Sequence, residues 1–278
     1  MTDWKGLYNR VMQFSRLDTL PVGMKYFEKR EDLPSEKEVK RPHLNQTLCQ
    51  LTAQARLLGR PMIGLPEMAD RCSLGTYAMG FGDLGEEFRS GRRNLGSYHC
   101  NVENNAKFLA NVPRFDQGRW AALYVAPITN LLVEPDIVAF YGFPAQIMRY
   151  IQGWVFMGGA PVKNLTFGDL ACAETWVATY LSGEPRIVVP CNGERVFGGA
   201  QNYEIVFSTP AQYVERILIG MEAMHASGFR YPITANILDA EPVPPATYFT
   251  RPEDHPYMEL GKAGLEVLKK YGVEGGTW

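Results

Sequence analysis

The chain has 278 residues, 46% hydrophobic and 21% charged, with a net charge of -2. That composition belongs to a globular protein large enough for a substantial core. It excludes a non-specific nucleic-acid binder, which needs a basic face. No apolar run approaches the roughly 18–20 residues of a membrane span. Five cysteines without a visible export signal point to reduced thiols and a cytoplasmic setting.

The first 17 residues read as an amphipathic helix carrying Trp4, Leu7, Tyr8, Val11 and Met12. Pro21 enters a strand over Val22 to Phe27, and a charged stretch follows to Lys40. Thr47 and Gln50 have capping-box spacing, so a helix is expected from there to Leu58, with Gly59 as its left-handed stop. Met62 to Leu65 is a short strand ended by Pro66. Residues 73–100 hold six glycines interleaved with aromatics and read as a long irregular segment with one helical turn at Glu86 to Phe88. Arg89, Arg92 and Arg93 in it read as a solvated cluster. A helix over Asn101 to Asn111 and a strand over Trp120 to Pro127 come next.

The second half opens on a strand from Pro135 to Tyr141, in the manner of Pro21 to Phe27. The helix Ala145 to Phe156 is expected to turn Ile147, Met148, Ile151 and Val155 inward. A helix capped by Asp169 and stopped at Gly183 leads to a strand at Ile187 to Val189. Tyr203 to Phe207 is another strand, and Pro210 to Ala226 a strong amphipathic helix ahead of Gly228. The proline-rich residues 231–258 read as irregular, with a last helix over Tyr257 to Lys270.

Two stretches match. Thr47 to Cys72 and Asp169 to Cys191 each hold a cysteine just inside a helix, then Gly-x-Pro-x4-Pro, then a second cysteine. The Gly59–Pro61–Pro66 spacing equals that of Gly183–Pro185–Pro190, although Cys191 follows its proline at once and Cys72 lags by six residues. The expected architecture is therefore one domain over 1–278 of α+β or α/β class, a mixed sheet with flanking helices. Its two topologically related halves, about 18–100 and 130–230, would come from an internal duplication, with a C-terminal extension at 231–278.

Cys49 and Cys172 fall in first helical turns, where free N–H groups favour a thiolate, so both are expected to have lowered pKa values. Cys72 and Cys191 are expected in tight turns whose backbone N–H groups can donate to a sulfur. If the halves converge, the four cysteines are metal ligands. Dispersed ligands without a C-x2-C pair favour an iron–sulfur cluster, of the [4Fe-4S] type, with zinc as the alternative. Asn192, Gly193 and Arg195 are expected to contact the cofactor or a bound anion, Arg195 by a bidentate pair. Arg56 and Arg149 read as surface residues. Two other readings compete: a lone reactive thiolate at Cys49 or Cys172 with a base among His43, His99, His225 and His255, and cysteines that simply pack. Gly80-x-Gly82-x-x-Gly85 follows no clear strand and is discounted as a nucleotide fingerprint. Trp176 and Tyr180 read as core.

The segments PVGMKYF, LCQLTAQARLLGRPM with DRCSLG, EPDIVAFYGFPAQIMR, and GEPRIVVPCNGERVFGG with NYEIVFSTP resemble the archaeal and bacterial proteins of domain-of-unknown-function family 169. The likeness spans about residues 15–230. It implies a cysteine opening a helix and a cysteine after a strand in each half, and raises the cluster or redox reading without naming a reaction. The expected activity is iron–sulfur redox chemistry or small-molecule activation in anaerobic metabolism. Its partners would be a small-molecule substrate or an electron-transfer protein, with a homo-oligomer allowed and no nucleic acid or membrane.

Overall fold

The computed structural model describes residues 2–35, 39, 45–68, 72–82, 85–92, 94–233 and 257–273. His43, His255, Arg93 and most of the expected C-terminal extension lie outside the described residues. In chain order the main elements are α1 (Trp4–Ser15), β1 (Val22–Phe27), α2 (Leu48–Leu58), β2 (Met62–Gly64), α3 (Ser73–Ala78), α4 (Gly85–Arg89), α5 (Val102–Asn111) and β3 (Ala122–Pro127). Then come β4 (Ile137–Gly142), α6 (Pro144–Phe156), a helix over residues 171–182, β5 (Arg186–Val188), α8 (Asn192–Val196), β6 (Ile205–Pro210), α9 (Val214–Ala226) and α10 (Tyr257–Lys270). The helix over 171–182 is π-helical through Ala173–Ala178 and closes in α7 (Thr179–Ser182).

The six strands form one sheet in the order β2-β3-β1-β4-β6-β5. The fold is α+β. The sheet is not mixed as the sequence suggested, because every pairing between its strands is antiparallel. Its order is palindromic if β1, β2 and β3 correspond to β4, β5 and β6. The register agrees as well. Val22 opens β1 opposite Pro127 at the end of β3, and Ile137 opens β4 opposite Pro210 at the end of β6. Met62 pairs with Val125, two residues before Pro127, as Arg186 pairs with Ser208, two before Pro210. A single 3-10 turn follows each of these prolines, at Ile128–Asn130 and Ala211–Tyr213. This pairing aligns Val22 with Ile137, one residue away from the proline-anchored match of Pro21 with Pro135.

Both faces of the sheet are covered, which is why the central strands lack the apolar–polar alternation of a half-exposed sheet. Along β4, Ile137, Ala139 and Tyr141 face α2 and the helix over 171–182, while Val138 and Phe140 face α1, α6 and α9. On the latter side α6 and α9 cross at glycines. A Cβ on Gly153 would lie 2.4 Å from the Ile217 carbonyl oxygen, and one on Gly220 2.3 Å from that of Gly153. That close approach rotates α6 from its expected setting. Ile147, Tyr150 and Trp154 form its buried face, and Val155 is exposed.

Residues 73–100 are more regular than glycine content implied, because α3 and α4 form within them. The expected helices at 101–111 and 257–270 are present, the former capped by Asn101. Trp176 is core, and Tyr180 joins Tyr26, Phe115 and Trp120 in an aromatic cluster with edge contacts. No helix among the described residues is long and apolar enough to cross a membrane.

Candidate functional site

All four cysteines of the matched stretches stand at helix N-termini on the same face of the sheet. Thr47 caps α2 by the expected box: its hydroxyl accepts the Gln50 N–H at 3.2 Å, and the Gln50 side chain accepts the Thr47 N–H at 2.9 Å. Cys49 is the second residue of that helix. Cys172 is likewise second in its helix, but Asp169 is not the cap. The Leu170 carbonyl receives the first N–H groups, from Ala173 at 3.0 Å and Glu174 at 3.2 Å, while the Asp169 carboxyl faces the Tyr98 hydroxyl. Cys72 caps α3 itself, its sulfur accepting the Gly75 N–H at 3.4 Å. Cys191 caps α8, and N–H groups of Ala171, Glu194 and Gly193 lie against its sulfur.

The two cysteine helices differ by one residue. From Leu48 to the Gly59 stop there are eleven helical residues, and from Ala171 to the Gly183 stop there are twelve. Both stops are left-handed. The extra residue is taken up by the π-helical turns directly after Cys172, a distortion often found at functional sites. The cysteine and the stop glycine therefore keep equivalent places at opposite ends of helices of unequal length.

The four thiols share one neighbourhood. The point where a Cβ of Gly75 would sit lies 3.4 Å from the Cys72 sulfur and 3.6 Å from the Cys172 sulfur. The corresponding point at Gly198 lies 3.3 Å from Cys49 Cβ and 3.2 Å from Glu194 Cγ. Cys172 feels the charges of Cys49, Cys72, Cys191 and Glu194. Among the described residues, no three His, Cys, Asp or Glu side chains are drawn together as a preformed metal-binding group. The sulfurs are neighbours without being closed into a ligand shell.

The expected low thiol pKa values do not hold. Burial pushes Cys49 and Cys172 well above the ordinary thiol value, and the neighbouring Glu194 carboxyl and thiols add to it. Cys72 and Cys191 are also raised by burial, with the N–H groups at their sulfurs pulling back. The helix N-terminus is outweighed because these thiols lie in the core, where an uncompensated charge is costly. Cys72 is the least buried of the four, and Cys100 is exposed and stands apart from them.

Asn192 and Gly193 open α8 beside Cys191. Arg195 donates to the Gln201 carbonyl, and its charge acts on the Glu194 carboxyl. The arginines read as surface residues are instead buried, each 2% exposed. Arg56, from the Cys49 helix, pairs with Glu204 at 2.8 Å, donates to the Gly198 carbonyl at 3.2 Å, and lies over the Tyr141 ring at 4.3 Å. Arg149 donates to Gln152 at 2.7 Å. Of the bases considered, His99 packs on Phe108 and lies near Asp169, and His225, in the last turn of α9, packs on Phe14.

Two buried carboxyls on the cysteine-bearing helices were not foreseen. Glu194 accepts the Tyr141 hydroxyl on one oxygen, and its other oxygen is buried without a partner. Burial raises its pKa, partly offset by Tyr141 and Arg56. Glu174, in the π-helical stretch, accepts the Phe167 N–H at 2.7 Å and has a second oxygen in the same unpartnered state. The one sequence signal for Glu194 was its place one helical turn after Cys191, which puts both on one side of α8. Tyr98, from the glycine-rich segment, reaches Asp169 and Asn192 at the edge of the site.

The domain-of-unknown-function family 169, described as uncharacterised ArCR, matches residues 10–220. The chain belongs to this family. It is also 25% identical over 217 residues to an uncharacterized protein of Methanocaldococcus jannaschii, covering 77% of this chain and 91% of the relative. The matched family region contains both half-sheets and all four of the grouped cysteines. No solved structure matches the chain.

Proposed function

We propose that this DUF169 protein holds an iron–sulfur cluster, of the [4Fe-4S] type, through Cys49, Cys72, Cys172 and Cys191. It would serve redox chemistry or small-molecule activation, as an oxidoreductase or a lyase, in a cytoplasmic anaerobic setting. The observation that carries the reading is the placement of the four cysteines. Cys49 and Cys172 occupy equivalent positions in two half-sheets of identical register, Cys72 and Cys191 each stand at the start of the next short helix, and the four come from separate helix N-termini to one neighbourhood. Internal duplication is the simplest origin of that symmetry. Core cysteines that only pack have no need of such equivalence.

The donor set fits the group. Four soft sulfurs suit a cluster and, as the alternative, zinc. N–H groups at Cys72 and Cys191 are of the kind that stabilise thiolates and tune a cluster. A cluster supplies electron transfer or a Lewis-acidic iron. The chain supplies the dry core around it, the Glu194 carboxyl held by Tyr141, and the polar edge of Tyr98, Asp169 and Asn192. An electron-transfer protein or a small molecule would meet the site at that edge, and a homo-oligomer is compatible with it. Binding must displace the thiol protons, so uptake should strengthen as pH rises.

Anaerobically purified protein should be brown, contain iron and sulfide, and lose its visible absorbance on Cys172→Ser. Colourless protein free of both would refute the cluster, and stoichiometric zinc without sulfide would establish the alternative. A lone thiolate enzyme is the second reading, and the lesser burial of Cys72 favours that residue over Cys49 and Cys172. Alkylation at Cys72 alone that abolishes activity in metal-free protein would support it.

A further inference from the structure

The thiol neighbourhood is closed by a side chain on one side and bare on the other. Glu194, the third residue after the capping Cys191, fills its side with a carboxyl that is 3% exposed. The equivalent residue after Cys72 is Gly75, whose side-chain direction faces the sulfurs of Cys72 and Cys172. Next to this bare face lies a cavity of about 30 Å³. Leu48, Leu51, Met79 and Leu123 form much of its wall, with Cys72 and Gly75; Gln46, Thr47 and Thr76 add a smaller polar part, and no described residue lining it carries a charge.

A water needs about 10–15 Å³ of such space, so the cavity suits a guest of about two or three heavy atoms. Apolar cavities take up apolar guests, whereas an ion would lose its hydration without a countercharge here. We propose that this cavity is a binding site for a small neutral molecule of diatomic or one-carbon size, which it holds against Gly75 within reach of Cys72. This names the substrate class for the small-molecule activation proposed above, and its role in turnover rests on that reading. The cavity itself requires no metal.

Xenon is the probe, titrated into anaerobically purified protein and followed by amide chemical shifts, with iron measured on the same sample. Saturable shifts are expected at Leu51, Cys72 and Gly75, with none from acetate at equal concentration. Gly75→Ala should weaken xenon binding several-fold, since its new methyl occupies the bare face while making only ordinary contacts with both sulfurs. Leu48→Trp should do the same from the opposite wall, and either variant that retains the cooperative unfolding transition suffices. Absence of saturable shifts at these residues, unchanged xenon affinity in the folded variants, or equal shifts from acetate would overturn the proposal. Xenon shifts in iron-free protein would leave the cavity standing and remove the cluster. Iron-loaded protein without xenon shifts would do the reverse.

Discussion

The two halves share strand order, register, proline positions and the placement of two cysteines each, but not what surrounds those cysteines. Two residues after Cys49 stands Leu51, and three after Cys72 stands Gly75; the corresponding residues after Cys172 and Cys191 are Glu174 and Glu194. The first half therefore gives the thiols an apolar wall and a cavity. The second gives them the buried Glu194 carboxyl and a π-helical turn that carries the buried Glu174. Symmetry in the scaffold brings the sulfurs together. Asymmetry in the lining makes the two approaches to them chemically different.

The largest expected effect comes from cutting the link between the halves. Arg56→Ala leaves Glu204 buried without its partner, which typically costs about 3–5 kcal/mol, and should lower the urea midpoint strongly. The two carboxylate contacts, at 2.8 and 3.0 Å with both side chains almost wholly buried, are the reason. Arg195→Ala, which removes an exposed hydrogen bond to the Gln201 carbonyl, serves as the contrast and should leave stability nearly unchanged.

Tyr141→Phe tests the polar side of the site. It removes the hydroxyl that Glu194 accepts and leaves that carboxyl with no donor on either oxygen, a loss of about 1–3 kcal/mol. Chemical denaturation at neutral pH would show it, and a variant as stable as the parent would mean that Glu194 is not constrained as described. A matching change on the apolar side, Leu51→Met, conserves volume and should cost less than about 1.5 kcal/mol.

The raised thiols make the metal-free protein sensitive to alkali. In the folded state Cys49 and Cys172 keep their protons to a higher pH than in the unfolded chain. The unfolded state therefore binds fewer protons once pH passes the ordinary thiol value of about 8.5, and stability falls as pH rises further. The slope is at most about 1.4 kcal/mol per pH unit for each such thiol. Denaturation curves collected between pH 7 and 10 should show the decline, and Cys172→Ala should flatten it more than Cys72→Ala. A pH-independent midpoint would show that these thiols are not buried as described.

The smallest contrast is at the two helix starts. Thr47→Ala removes one side of a complete capping box and should cost about 1 kcal/mol. Asp169→Ala should show no comparable capping loss, since its carboxyl faces Tyr98 and the helix starts on the Leu170 carbonyl. Equal losses from the two would return Asp169 to a capping role.

Much of the fold was legible because it is written in local chemistry. The Thr47–Gln50 box, the stops at Gly59 and Gly183, the proline that ends β3, and the paired cysteines all act within a few residues of themselves. Asp169 misled because a cap residue is recognised by type, and Leu170 has no cap-like side chain to betray the true start. Arg56 misled because burial of a charge depends on a partner 148 residues away.

What the sequence determined by itself was therefore most of the elements, several of their ends, and the match between two cysteine-bearing stretches. The antiparallel sheet, the meeting of four thiols and their protonation were decided by tertiary structure. A helix N-terminus lowers a thiol pKa locally, but the packing of both halves over one face of the sheet removes water from Cys49 and Cys172. Desolvation depends on everything that surrounds a group, including residues remote in the chain, and here it outweighs the local field.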